Sequence, residues 1–160
     1  MTARKPDRLY SVRNSTIHGR GVFAATNIRK GKCIIEYKGQ RVSWDDALKR
    51  PDSDPDNPFH TFFFSLDDGR VIDAGVRGNA ARWINHSCEP NCESIEEDDG
   101  HVYIYSKRRI DEGEELTYDY RLTVDEPLTK REKRYFECHC GRPRCRGTML
   151  AKKKKKKKKS

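Results

Sequence analysis

Residues 138–145 read CHCGRPRC, three cysteines in a C-x-C-x4-C spacing. With Gly141 and Pro143 to turn the chain, three thiols within eight residues can wrap one tetrahedral ion. Zinc suits them best, because soft thiolates with no redox duty favour a closed structural site. Such a site needs a fourth ligand, and the candidates are Cys33, Cys88, Cys92 and His139. Cys33 lies in the apolar run CIIEY, where a small buried hydrophobe is the expectation. His139 is wedged between two ligands and would have to fold back on the same ion. The pair Cys88 and Cys92 remains. Left free on a loop, three clustered thiols would oxidise readily, which favours the metal.

The pair sits in a second concentration of reactive types, RWINHSCEPNCE at 82–93. Cys88 with His86 as its base would make a thiol hydrolase, but only one residue separates them and the thiol serves the metal better. Asn85 and His86 can equally satisfy buried backbone groups. In GEELTYDY (113–120), Tyr118 and Tyr120 alternate with neighbours as a plain strand would also have them. Arg20, in the glycine turn HGRG, can be a surface residue, and the Phe62–Phe64 run reads mostly as core.

The elements that must position these residues are short. With 160 residues, 34% hydrophobic and 37% charged, the chain supports one domain with a modest core. The runs 20–25, 33–37, 61–66, 70–73 and 101–106 read as strands, and 18–21 and Lys30-Gly31 as glycine turns. Helices are expected at Trp44–Lys49, with Ser43 as N-cap, and around Thr129–Phe136. Between them PDSDPDNP (51–58) reads as an exposed loop. Net charge is +9, yet residues 152–159 are eight consecutive lysines; without them 26 basic residues face 25 acidic ones. The basicity belongs to a tail. The first residues have neither an apolar h-region nor a cleavage site, and no run reaches membrane-spanning length. The reading is a soluble intracellular chain with reduced thiols.

HGRGVFA (18–24), GNAARWINHSCEPNC (78–92), GEELTYDY (113–120) and CHCGRPRC (138–145), in this order, resemble SET-domain protein lysine methyltransferases with a post-SET zinc segment. The wording is closest to the trithorax-like branch, and the likeness covers about residues 9–150. It implies a mainly β, β-clip-like SET fold of several small sheets with a pseudoknot and few short helices. The organisation implied is an N-terminal extension (1–8), a SET domain (9–122, with a short variable insert about 43–60), a post-SET zinc segment (123–150) and a disordered poly-lysine tail (151–160). By the same resemblance Cys88 is the fourth ligand, joining Cys138, Cys140 and Cys145 around one structural zinc. The methyl donor, S-adenosylmethionine, would meet Gly19, Arg20, Gly21, Phe62, Arg82, Asn85, His86, Tyr120 and His139. Tyr120 would be the catalytic tyrosine, and Tyr118 would influence how many methyls are added.

Methyl transfer from a sulfonium to an amine is an in-line displacement, so alignment alone can contribute about 7–11 kcal/mol. The amine must be neutral, and at pH 8 roughly one lysine in 250 is. An apolar aromatic channel beside a cationic sulfonium lowers that lysine's pKa. Phe62 stands near where the family often has tyrosine; losing that hydroxyl loosens the limit set by Tyr118, and mono- or mono/dimethylation is expected. Trp83 replaces a common phenylalanine, with an effect expected on packing alone.

The expected substrate is a histone, a histone-like DNA-associated protein or the chain's own tail. Lys152–Lys159 offer a nucleic-acid contact as well. The second reading is a zinc-stabilised nucleic-acid-binding module with an inactive SET body; the near-neutral body and the filled catalytic positions weigh against it. With neither a pre-SET segment nor a reader domain, the chain fits a small freestanding bacterial or viral enzyme. Its place would be the cytoplasm or the chromosome, or a host nucleus if exported.

Overall fold

A computed structural model describes residues 8–50, 62–122 and 127–151. In chain order the strands are β1 (Tyr10–Asn14), β2 (Arg20–Ala24), β3 (Cys33–Glu36), β4 (Gln40–Val42), β5 (Phe63–Ser65), β6 (Val71–Asp73), β7 (Asn85–His86), β8 (Cys92–Glu96), β9 (Val102–Ser106) and β10 (Thr117–Tyr118). Two short helices, α1 (Trp44–Leu48) and α2 (Lys130–Lys133), are joined by 3-10 turns at Ala80–Trp83 and Arg134–Phe136. The described residues are mainly β, as expected, in four small sheets.

β9 lies between β3 and β8, and β6 between β4 and β5, all antiparallel. β9 shows why alternation matters: Val102, Ile104 and Ser106 point inward and are buried, while Tyr103 and Tyr105 are half-buried. β6, central in its sheet, buries Val71, Ile72 and Asp73 alike. β1 pairs with β2, setting Val12 opposite Val22. β7 and β10 form a two-residue parallel pair, Asn85 against Thr117 and His86 against Tyr118. One apolar cluster joins all four sheets, from Val22 through Ile35, Ile72, Ile84 and Ile104 to Leu116.

The helix starts follow from their caps. Ser43 Oγ accepts from Asp46 N at 3.1 Å, and Asp45 and Asp46 sit in the favourable first turn. Thr129 and Glu132 form a full capping box. Five expected strands are present with trimmed ends; β1, β4, β7, β8 and β10 were not anticipated.

Cys33 is a correction. It is exposed, because the register shifts between Cys33 and Ile35 opposite β9. That irregularity lets Ile34 and Ile35 both bury and turns the thiol outward. Most of the expected extension, the 51–58 loop and the lysine run lie outside the described residues.

Candidate active site

Four thiols converge where the C-terminal segment meets the body. The sulfurs of Cys88, Cys138, Cys140 and Cys145 all lie within 4.8 Å of one another. Cys88 Sγ is 3.7 Å from Cys138 Sγ and 3.9 Å from Cys145 Sγ. A tetrahedral ion with zinc–sulfur bonds near 2.3 Å needs sulfurs about 3.8 Å apart. The donor set therefore fits zinc in type, number and spacing. Backbone amides reinforce it: Arg146 N donates to Cys88 Sγ at 3.3 Å, Cys140 N to Cys138 Sγ at 3.4 Å and Gly147 N to Cys145 Sγ at 3.3 Å. Burial pushes the Cys88 and Cys138 thiols up, the opposite of what ligation needs, and a divalent cation reverses that.

The choice between Cys88 and Cys92 is made by β8. Cys92 opens that strand opposite Ser106, is wholly buried, and has its thiol pushed up to about 12 by burial. Cys88 precedes it and faces the knot. His139, between two of these cysteines, is exposed.

Tyr120 sits beside this cluster. Its hydroxyl donates to the carbonyl of Ile84, and its ring lies 4.9 Å from Tyr118 and 5.3 Å from His86. Burial raises the phenol well above its ordinary value, and Tyr37 and Glu115 add to the effect. Deprotonation at neutral pH is therefore disfavoured. With its proton committed to Ile84, the oxygen keeps its lone pairs for whatever enters beside it. Tyr118 is buried and likewise raised, by desolvation first. His86 is 2% exposed; burial brings its imidazole down to about 4 despite Asp119 nearby.

The glycine turn is tied to this region through Asn85. Its amide nitrogen sits 3.1 Å from His18 O, 3.0 Å from Arg20 O and 2.9 Å from Glu115 Oε2. Ser15 donates to the same carboxylate at 2.7 Å. Gly19 has φ +44, the left-handed region, and a Cβ on Gly21 would strike the Glu115 carboxylate. Asn85 thus spends its side chain inside the protein. A cleft of about 340 Å³ runs between Ile17, Ser87, Thr117 and the knot residues Cys140 and Arg142.

Two arginines converge on Trp83. Arg82 lies 4.7 Å and Arg20 5.7 Å from its ring, and Phe62 meets Trp83 edge-on at 5.3 Å. Trp83 therefore organises cations as well as packing. Arg82 Nε is buried without a hydrogen-bond partner. An orphaned guanidinium donor, with a second arginine on the same tryptophan, suits an anionic oxygen such as the carboxylate of an amino-acid-like ligand.

Three participants escaped the sequence reading. Tyr37, 5% exposed, donates to Phe62 O at 3.1 Å and lies close enough to influence both Tyr118 and Tyr120. A tyrosine ending an apolar strand needs a partner for its hydroxyl, which was the available signal. Glu115 and Arg146 looked like two more charges in charged runs.

The SET-domain family model matches residues 19–121. Histone-lysine N-methyltransferase 2B of Homo sapiens is 43% identical over 138 residues, covering 84% of this chain and 5% of that protein. Histone-lysine N-methyltransferase trithorax of Drosophila virilis is 43% identical over 135 residues, 82% of this chain and 3% of the relative. Histone H3-lysine(4) N-trimethyltransferase ATX1 of Arabidopsis thaliana is 43% identical over 141 residues, 84% of this chain and 12% of the relative. The chain thus spans a small part of the curated relatives it matches. Among the described residues no helix is long and apolar enough to cross a membrane. With the family model spanning most of the body and these relatives matching most of the chain, it belongs to the SET-domain family.

Proposed function

We propose that this chain is a protein-lysine N-methyltransferase that takes its methyl group from S-adenosylmethionine and acts on histone H3 or a histone-like DNA-associated protein. The observation that carries this reading is Tyr120, a half-buried tyrosine whose hydroxyl proton is held by Ile84 O while Tyr118 and His86 flank its ring. The names of the relatives, all histone-lysine methyltransferases and one specific for histone H3 lysine 4, supply the substrate class. Residues 9–122 form the catalytic body and 123–150 the metal-bound closure, and a chromosome-associated location follows from the substrate.

The donor supplies an electrophilic methyl on a cationic sulfonium. Arg20 and Arg82 hold its carboxylate, with Gly19 and Gly21 letting the turn approach; Asn85 fixes that turn rather than contacting the ligand through its amide. His86 presents its backbone, since both ring nitrogens have protein neighbours. His139 and Phe62 line the same region. Tyr120's oxygen accepts a contact from the polarised methyl and orients the neutral amine. The tyrosine cluster excludes water and keeps the amine uncharged, so no side chain has to act as a strong base. Tyr118 narrows the space beside the amine while Phe62 brings no hydroxyl, which gives mono- and dimethylated products.

The test is labelled methyl transfer to recombinant histones, with Tyr120→Phe alongside. Label on lysine that falls at least about a hundredfold in the variant is expected. Full activity in the variant would remove Tyr120 from the mechanism. No transfer to any histone by a zinc-loaded protein that still binds the donor would remove the histone substrate.

A further inference from the structure

Cys88 accepts hydrogen bonds from two directions, and both lead to the loop carrying Tyr120. On one side Tyr120 N–H donates to His86 Nδ1 at 3.0 Å. A backbone amide can only donate, so Nδ1 must be unprotonated. A neutral imidazole then carries its single proton on Nε2, which lies 3.5 Å from Cys88 Sγ. On the other side Arg146 N donates to the same sulfur at 3.3 Å. The Arg146 guanidinium grips Asp119 with two bonds, 2.9 and 3.2 Å. Asp119 is the residue before Tyr120. Cys88, His86, Tyr120, Asp119 and Arg146 therefore close a ring.

Building on the methyltransferase reading, we infer that this ring is a positioning device, in which His86 and Arg146 transmit the occupancy of the four-cysteine site to the placement of Tyr120. A metal-bound thiolate has the lone pairs to accept both donors at once, and outer partners of this kind orient metal ligands. A free thiol carries its own proton, rotates, and is a weak acceptor. Both arms then slacken together. His86 is nearly inaccessible, so water is poorly placed to replace the sulfur as its partner. His86 and Arg146 act through Cys88 and Tyr120 and touch no reacting atom. They are positioning residues.

Two readouts independent of methyl transfer, the His86 tautomer and Tyr120 amide exchange, test the ring. In the zinc-loaded wild-type protein, nitrogen NMR should find the His86 proton on Nε2; a proton on Nδ1 overturns the inference outright. Amide exchange at Tyr120 should be slower by about tenfold in the metal-loaded protein than after chelation. In His86→Leu carrying cobalt with an unchanged four-thiolate spectrum, that protection should be lost, and His86→Gln, whose amide supplies one acceptor and one donor, should restore it. Protection that persists in the cobalt-loaded His86→Leu protein overturns the inference. Should His86→Leu fail to fold, Arg146→Met decides: it keeps the N–H to Cys88 but releases Asp119, and should lower kcat with KM unchanged. Unchanged kcat there overturns the inference. A ring found intact in a protein that methylates no histone would count against the proposed function alone.

Discussion

In the body, every sheet contributes buried apolar side chains, from Val22 on β2 through Ile72 and Ile104 to Tyr118 on β10. Among described residues 127–151, Phe136 is the one that does so. The knot instead has three sulfurs that meet Cys88 of the body, three N–H···S bonds at the cluster, and stitches to the body such as Ala151 N to Leu122 O at 2.9 Å. A segment this short cannot bury enough apolar surface to order itself, and a metal on the four thiols would supply what the core does not. The difference teaches that fold and candidate site lean on separate supports: Tyr120 is tied through His86 to Cys88, where the body meets the four-thiol cluster.

Removing the metal should break the comparison most visibly. A structural zinc of this type is worth roughly 10–16 kcal/mol of apparent binding. Chelation is therefore expected to disorder the knot and abolish methyl transfer, while the strand signal in far-UV circular dichroism survives. Loss of both together would mean that the body needs the ion as well. Cys88→Ser, monitored by metal content, should approach the same state.

Truncating Ile104 to Ala strikes the other support. It is fully buried on the central strand β9, and its loss should cost about 2–5 kcal/mol of global stability. The remaining folded protein should still take up one equivalent of cobalt. Cys92→Ser is the sharper probe, since it lies four residues from Cys88. A hydroxyl at that wholly buried position should cost about 1–3 kcal/mol and leave metal stoichiometry untouched. Reduced metal content there would reassign the ligand. Smallest of all is Cys33→Ser: at an exposed strand end the change should fall within about 0.5 kcal/mol.

What could be read in the sequence follows the same division. Apolar alternation exposed β9, the caps at Ser43 and Thr129 marked the helix starts, and clustered cysteines marked the four-thiol cluster that could hold a metal. β8 stayed hidden because CESIE buries a thiol where a strand signal wants a large hydrophobe. β7 and β10 are two residues each, too short for any period. Cys88 and Cys92 look interchangeable by type and spacing. Only the pairing of Cys92 with Ser106 separates them, and pairing is a tertiary fact. Cys33 was misjudged for a related reason, since a register shift across a sheet leaves no local trace. Tyr37, Glu115 and Arg146 draw their roles from partners distant along the chain.

The two-residue parallel pairing of β7 with β10 sets an order of events during folding. Its strands are about thirty residues apart in sequence, and the β8–β9 hairpin lies between them. Closing so long a loop for so few backbone contacts is unfavourable until the hairpin has docked against β3. His86 therefore meets Tyr118 late, after the sheets that surround them. A newly made chain acquires its core before His86 and Tyr118 pair, and a preparation can look folded by bulk spectroscopy while the two strands are still apart.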